Sequence, residues 1–182
     1  MPLSIFGILT AAWVAWTAPF FLIKRKGGPP QTLDRRARWG IFLQAIAYFL
    51  VWQPTLWTAS RASWRIPAGI AFLTLGPVLS WTSARTLGRQ WRFDAGLNAD
   101  HQLIRSGAYR FIRHPIYASM MCMLIGTGTL LTRLWILLAA VVLFVVGVEI
   151  RVRVEDALLA SRFGDEFSEY QRKVPAYLPL IR

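Results

Sequence analysis

Apolar residues along this 182-residue chain gather into five long blocks, at residues 3–23, 40–59, 66–84, 116–131 and 134–150, each bounded by basic or turn-forming residues. Blocks of about 17 to 21 residues are what a helix needs to cross the hydrocarbon core of a bilayer. They are too extended for a water-soluble core, and a bilayer admits few spanning structures besides helices. The pattern predicts an all-α integral membrane protein with about five transmembrane helices in a single membrane domain, 1–182, of which residues 1–84 form three N-terminal spans. Only Thr132 and Arg133 separate the last two blocks, which forces them into a tight antiparallel helical hairpin with both open ends on one side. The fifth helix continues past residue 150: Val154, Leu158, Leu159 and Phe163 recur near helical spacing, and Gly164 is a C-terminal stop. Phe167 and Tyr170 mark a further amphipathic helix, after which Pro175 and Pro179 break the chain. The first block lacks a basic n-region and a small-residue cleavage pattern, and reads as a retained span.

Charge orients these helices. Eighteen of the 21 Lys and Arg residues fall in the segments after spans one, three and five, against Arg61, Arg65 and Arg133 on the other side. That asymmetry puts the N-terminus outside and the C-terminus in the cytoplasm, with a cytoplasmic C-terminal helix. The net charge of +12 is then explained by topology and contact with anionic membrane lipids. The basic clusters flank spans and carry no groove-reading motif, so no nucleic acid partner is expected. One cysteine, Cys122, lies in an apolar run, which leaves neither a disulfide framework nor a cysteine metal cluster; no metal site is expected.

Two cytoplasmic segments, 85–114 and 151–182, are longer and more polar than topology requires. In the first, His114 and Tyr117 lie three apart across a helix start opened by Pro115, hence on one face beside backbone N–H groups that can receive an anion. In the second, Arg151 and Glu155 lie four apart on the extension of span five. By itself that is a surface ion pair worth about 0.3–0.5 kcal/mol. The hairpin, however, returns both residues to the side where His114 sits, so two polar clusters distant in sequence converge at one depth.

The run His101-Gln-Leu-Ile-Arg-Ser-Gly107-Ala-Tyr109-Arg-Phe-Ile-Arg113-His-Pro-Ile-Tyr117 resembles the H-x-L-V-x-x-G-x-Y-x-x-x-R-H-P-x-Y signature of isoprenylcysteine carboxyl methyltransferases and related phospholipid methyltransferases. Glu155-Asp156, then Phe163-Gly164-Asp165-Glu166-Phe167 and Tyr170, then Val174-Pro175 and Leu178-Pro179 resemble the same family's E-E…F-G-x-E-Y…Y…V-P…L-P ending. Asp156 stands where Glu is usual and Phe167 where Tyr is usual. The likeness covers residues 85–182; the first two spans carry no signature.

The resemblance implies an S-adenosyl-L-methionine-dependent methyltransferase whose cofactor pocket is built from residues 85–182. In that family the positions matching His101, Gln102, Leu103, Ile104, Tyr109, His114, Pro115, Ile116, Tyr117 and Glu155 contact the cofactor, and the one matching Arg151 faces the acceptor. The soluble methyltransferases' glycine-rich turn has no counterpart, since Gly126-Thr127-Gly128 lies inside span four, where small residues permit close helix packing. An acceptor that is already a carboxylate or thiolate needs no strong base, only alignment and desolvation, and no catalytic base is assigned. A forked pair with Arg151 favours a carboxylate, so the expectation is O-methylation of a lipophilic acceptor entering from the bilayer. Phospholipid N-methylation, a sterol-type reductase using a nicotinamide cofactor, and a non-enzymatic scaffold stay open as alternatives.

Overall fold

The structure, a computed structural model, describes residues 3–23, 32–58, 62–90, 96–97 and 101–177. Of the basic residues counted above, Lys24, Arg25, Lys26, Arg61, Arg92 and Arg182 lie outside the described residues, as do Ala59 at the end of the second block, Leu178 and Pro179. Six helices follow one another: α1 (Leu3–Leu22), α2 (Ala37–Trp52), α3 (Arg65–Leu87), α4 (Pro115–Leu131), α5 (Leu134–Phe163) and α6 (Asp165–Lys173). Three of them, α1, α3 and α5, are long and apolar enough to cross a membrane. Large apolar side chains such as Val14 on α1, Phe49 on α2, and Leu138 and Val142 on α5 point outward, the reverse of a soluble surface and the expected state of a face in contact with lipid. The chain is an integral membrane protein.

Span two is shorter than its apolar block. Residues 40–59 were expected to be helical, but α2 ends at Trp52, and Gln53 is extended at φ −73°, ψ 114°. A residue before proline is pushed out of the helical region, and Pro54 opens a 3-10 turn, Pro54–Leu56, instead. With 16 residues in α2, the helix is about 24 Å long. The expected extension of α5 holds: it runs 30 residues to Phe163, and Gly164 at φ 54° ends it, a left-handed conformation that glycine adopts without steric cost. α6 follows with Asp165 and Glu166 in its first turn and Arg172 and Lys173 in its last, the arrangement its dipole prefers.

Packing pairs α3 with α4 and α2 with α5. A Cβ on Gly40 would collide with the Gly147 carbonyl and with the Arg151 stem, and one on Gly126 would meet Leu73 and the Gly69 carbonyl. Glycine at these crossings lets backbones touch, which in lipid is a main source of helix association. Phe144, Leu124, Val51 and Val148 fill the centre. At the far end of the hairpin, Arg65 is not a loop charge but a buried residue of α3; its guanidinium donates to the carbonyls of Thr129 at 2.9 Å and of Thr132. It thereby caps the carbonyls that α4 leaves unpaired. A two-residue antiparallel ribbon, Thr32–Leu33 (β1) against Gly96–Leu97 (β2), departs from the all-α expectation, as does an isolated bridge between Trp57 and Thr132; the ribbon ties the segment after α1 to the segment after α3.

Candidate active site

Residues 101–105 approach α4 without regular structure, and a 3-10 turn, Gly107–Arg110, aligns the chain for it. Gly107 sits at φ 58°, and a Cβ there would strike the Thr86 side chain of α3, so this turn requires glycine. Tyr109 is buried, and its carbonyl accepts the Tyr170 hydroxyl of α6. Arg113 and His114 then donate their backbone N–H groups to the carbonyls of Pro175 (2.8 Å) and Ala176 (2.7 Å). The stretch after α6 thus straps the start of α4.

Glu155 and Asp156 are neighbours on α5, so their side chains leave the helix about 100° apart. Asp156 receives Arg113 at 2.9 Å and the Gln171 amide at 3.2 Å. Glu155 receives the Tyr117 hydroxyl and lies 3.5 Å from Arg151, whose guanidinium is 5.0 Å above the Tyr117 ring. His114 bridges the two acids, with Nε2 2.9 Å from Asp156 and Nδ1 3.4 Å from Glu155, and stacks on Tyr117 with ring centroids 5.8 Å apart. The shared face read from the spacing is therefore present. The helix start is less open to an anion than expected: Pro115 has no N–H, and the N–H groups of Tyr117 and Ala118 both turn back to the His114 carbonyl. Side chains carry most of the polarity here.

Burial by itself would push the His114 imidazole down, but hydrogen bonds and charge from Asp156 and Glu155 more than offset it and raise the pKa from 6.5 to about 9. At neutral pH the ring is an imidazolium that can donate from both nitrogens, as two carboxylate partners demand. Because the folded value lies above the unfolded one, this pairing stabilises the protein fully below about pH 6.5 and is lost as pH rises through about 9. Melting temperature in detergent should therefore fall between pH 7 and 9.5, and the fall should be smaller in His114→Asn; parallel curves for the two proteins would show that the ring is not charged in the fold.

Arg113, His114, Tyr117, Arg151 and Glu155 face one cavity of about 350 Å³, while Asp156 and Gln171 stand outside its lining. His101, Gln102, Leu103, Ile104, Tyr109, His114, Ile116, Tyr117, Glu155 and Arg151 line it. Of the positions expected in the pocket only Pro115 does not; it is buried at the first position of α4, where its fixed φ starts the helix. The motifs gave no role to Asp156, although its place beside Glu155 was visible; adjacency on a helix was the available signal that the two acids serve different partners. Nor did anything in the sequence mark α1, whose Trp16, Thr17, Phe20 and Phe21 also line the cavity.

A family model described as phospholipid methyltransferase matches residues 64–166. The protein-S-isoprenylcysteine O-methyltransferase of Schizosaccharomyces pombe is 33% identical over 117 residues, covering 63% of this chain and 49% of that protein. The cobalt-zinc-cadmium resistance protein CzcN of Cupriavidus metallidurans is 29% identical over 152 residues, 82% of this chain and 66% of its own length. The chain thus spans about half the length of the first relative and about two thirds of the second. A solved structure of the eukaryotic intramembrane Ras methyltransferase, an isoprenylcysteine carboxyl methyltransferase, superposes with a TM-score of 0.63 at 22% identity, covering 95% of this chain and 62% of that one. At that identity the likeness shows a common fold.

Proposed function

Because this chain belongs to the phospholipid methyltransferase family, we propose that it is an integral-membrane, S-adenosylmethionine-dependent methyltransferase of the isoprenylcysteine carboxyl methyltransferase type, acting on a lipophilic acceptor that arrives from the bilayer. The observation that carries this reading is the single cavity in which the 101–117 segment meets Arg151 and Glu155 of α5. When bound, the cofactor supplies a methyl carbon on a sulfonium sulfur, open to in-line displacement. Its charged groups suit the donor set. Glu155 offers a carboxylate to an ammonium or to ribose hydroxyls, while Arg113 and the His114 imidazolium offer positive charge to a carboxylate. Arg113 Nε is buried with no hydrogen-bond partner among the described residues. Leu158, Leu159 and Leu97 give the same cavity apolar surface. His101, Gln102, Leu103, Ile104, Tyr109, His114, Ile116 and Tyr117 would hold the cofactor, with Pro115 fixing the start of the helix on which Ile116 and Tyr117 stand.

No side chain here is placed as a general base. His114 is already protonated at neutral pH, with its pKa raised to about 9, and both nitrogens face carboxylates. An acceptor that arrives as an anion needs no base, and Arg151 is the cation to receive it, which favours carboxylate O-methylation over methylation of an amine. Calorimetry with S-adenosylhomocysteine should show saturable binding, and labelled S-adenosylmethionine should pass its methyl group to a component of a membrane lipid extract; a folded protein that binds neither compound would end this reading.

In the same proposal the chain is one membrane domain crossed five times, with its N-terminus outside and its C-terminus and pocket in the cytoplasm, since a water-soluble zwitterionic cofactor is delivered from there. A C-terminal reporter active only outside the cytoplasm should stay silent; strong signal from it would reverse the orientation.

A further inference from the structure

We propose that Arg105 and Glu166 form a latch on the cofactor cavity: their ion pair fastens residues 101–104, and the cofactor enters and leaves when the pair parts. Both are positioning residues, and the ligand they govern takes its identity from the methyltransferase reading, on which this inference rests. Glu166 belongs to the F-G-x-E-Y part of the chain's ending, and nothing in the site described so far gives it a task. Residues 101–105 carry no regular structure. His101, Gln102, Leu103 and Ile104 line the cavity, while Gln102 and Arg105 are exposed. Gln102 does both, so at this point a single layer of chain stands between cavity and water.

Without helix or sheet hydrogen bonds of its own, that layer depends on ties to its neighbours. Near its start the Gln102 N–H donates to Gln90 Oε1 at 2.8 Å. At its end the Arg105 guanidinium donates to Glu166 Oε1 at 2.6 Å, across 61 positions of sequence. Both side chains of this pair are about half exposed, at 47% and 49%, so water can take over either charge at little cost. The post that the latch closes on is firm. Phe167 and Tyr170, on the same helix as Glu166, are buried and line the same cavity. Glu166 stands in the first turn of α6, where the helix dipole favours a carboxylate. Glu169, the next acid along that helix, is engaged with Lys173 at 2.5 Å. A latch that holds equally in the empty and the loaded protein slows entry and exit by one factor and leaves affinity unchanged. A residue that only touches the cofactor changes exit alone.

The test is the rate at which S-adenosylhomocysteine binds to and leaves the full chain in detergent, followed by surface plasmon resonance. Arg105→Ala and Glu166→Gln should each raise the association and dissociation rates together by about two- to fivefold, the most that an exposed ion pair shifts an equilibrium. Kd should stay within about twofold of the parent's, and the melting temperature should not move. Raising sodium chloride from about 0.05 to 0.5 M screens the pair; it should speed both rates in the parent and neither in the variants. The exchanged pair, Arg105→Glu with Glu166→Arg, should bring both rates back toward the parent's, which loss of a purely structural contact would not do. Unchanged rates in the variants, or faster dissociation alone with a weaker Kd, overturns the latch. Failure of the methyltransferase reading has a different signature: the parent itself then shows no saturable binding of S-adenosylhomocysteine at any salt concentration, and the latch loses its ligand.

Discussion

Asp156→Ala is expected to cost about 3–5 kcal/mol of folding stability, the range for removing one partner of a buried ion pair. The carboxylate is buried and receives Arg113, His114 and the Gln171 amide, so its loss leaves a guanidinium and an imidazolium without their shared partner. Those three donors sit before α4, at its cap and on α6, so the same change loosens the joint between three elements. Chemical denaturation in a fixed detergent measures the loss, and Asp156→Asn should fall between parent and alanine because it keeps the shape but not the charge. A loss below about 1 kcal/mol, ordinary for an exposed pair, would show that Asp156 does not hold the site together.

Glu155→Gln and Arg151→Ala should separate cofactor from acceptor although the residues stand one turn apart. Glu155 faces His114, Tyr117 and Arg151 at once; replacing its charge with an amide should weaken S-adenosylmethionine binding by about 1.5–3 kcal/mol, the value of a hydrogen bond to a charged group, which is roughly one to two decades in affinity. Arg151→Ala should leave cofactor affinity near the parent's and lower kcat/KM for the acceptor by about 100-fold, the scale of lost orientation. If both variants bind and methylate like the parent, α5 is not where the chemistry is held.

The helices were legible where composition alone decides. Four of the five apolar blocks became helices within a few residues of their expected ends, and Gly164 stopped α5 as its position after Phe163 implied. Block two misled because hydropathy is blind to the backbone: Trp57 and Leu56 are as apolar as the residues before them, yet Pro54 had already turned the chain. The ribbon of Leu33 and Gly96 was out of reach, since two residues carry no period. In the site, the motifs located the lining of 101–117 and α5 but not the pairing. Asp156 with Arg113 and Trp16 with Ser119 are contacts between segments 43 and 103 residues apart, and no local rule connects them.

The strap between residues 113–114 and 174–176 has a consequence for biosynthesis. Arg113 meets the Val174 carbonyl only 61 positions later in the chain, an interval of about 3–12 s at ordinary rates of translation. Through that interval α4 and α5 can enter the bilayer, while an arginine and a histidine wait beside them without their final partners. Unpaired cations are costly in lipid and cheap in water. On the proposed orientation, the half-made pocket would be held at the aqueous edge on the ribosome's side until its closing segment is translated.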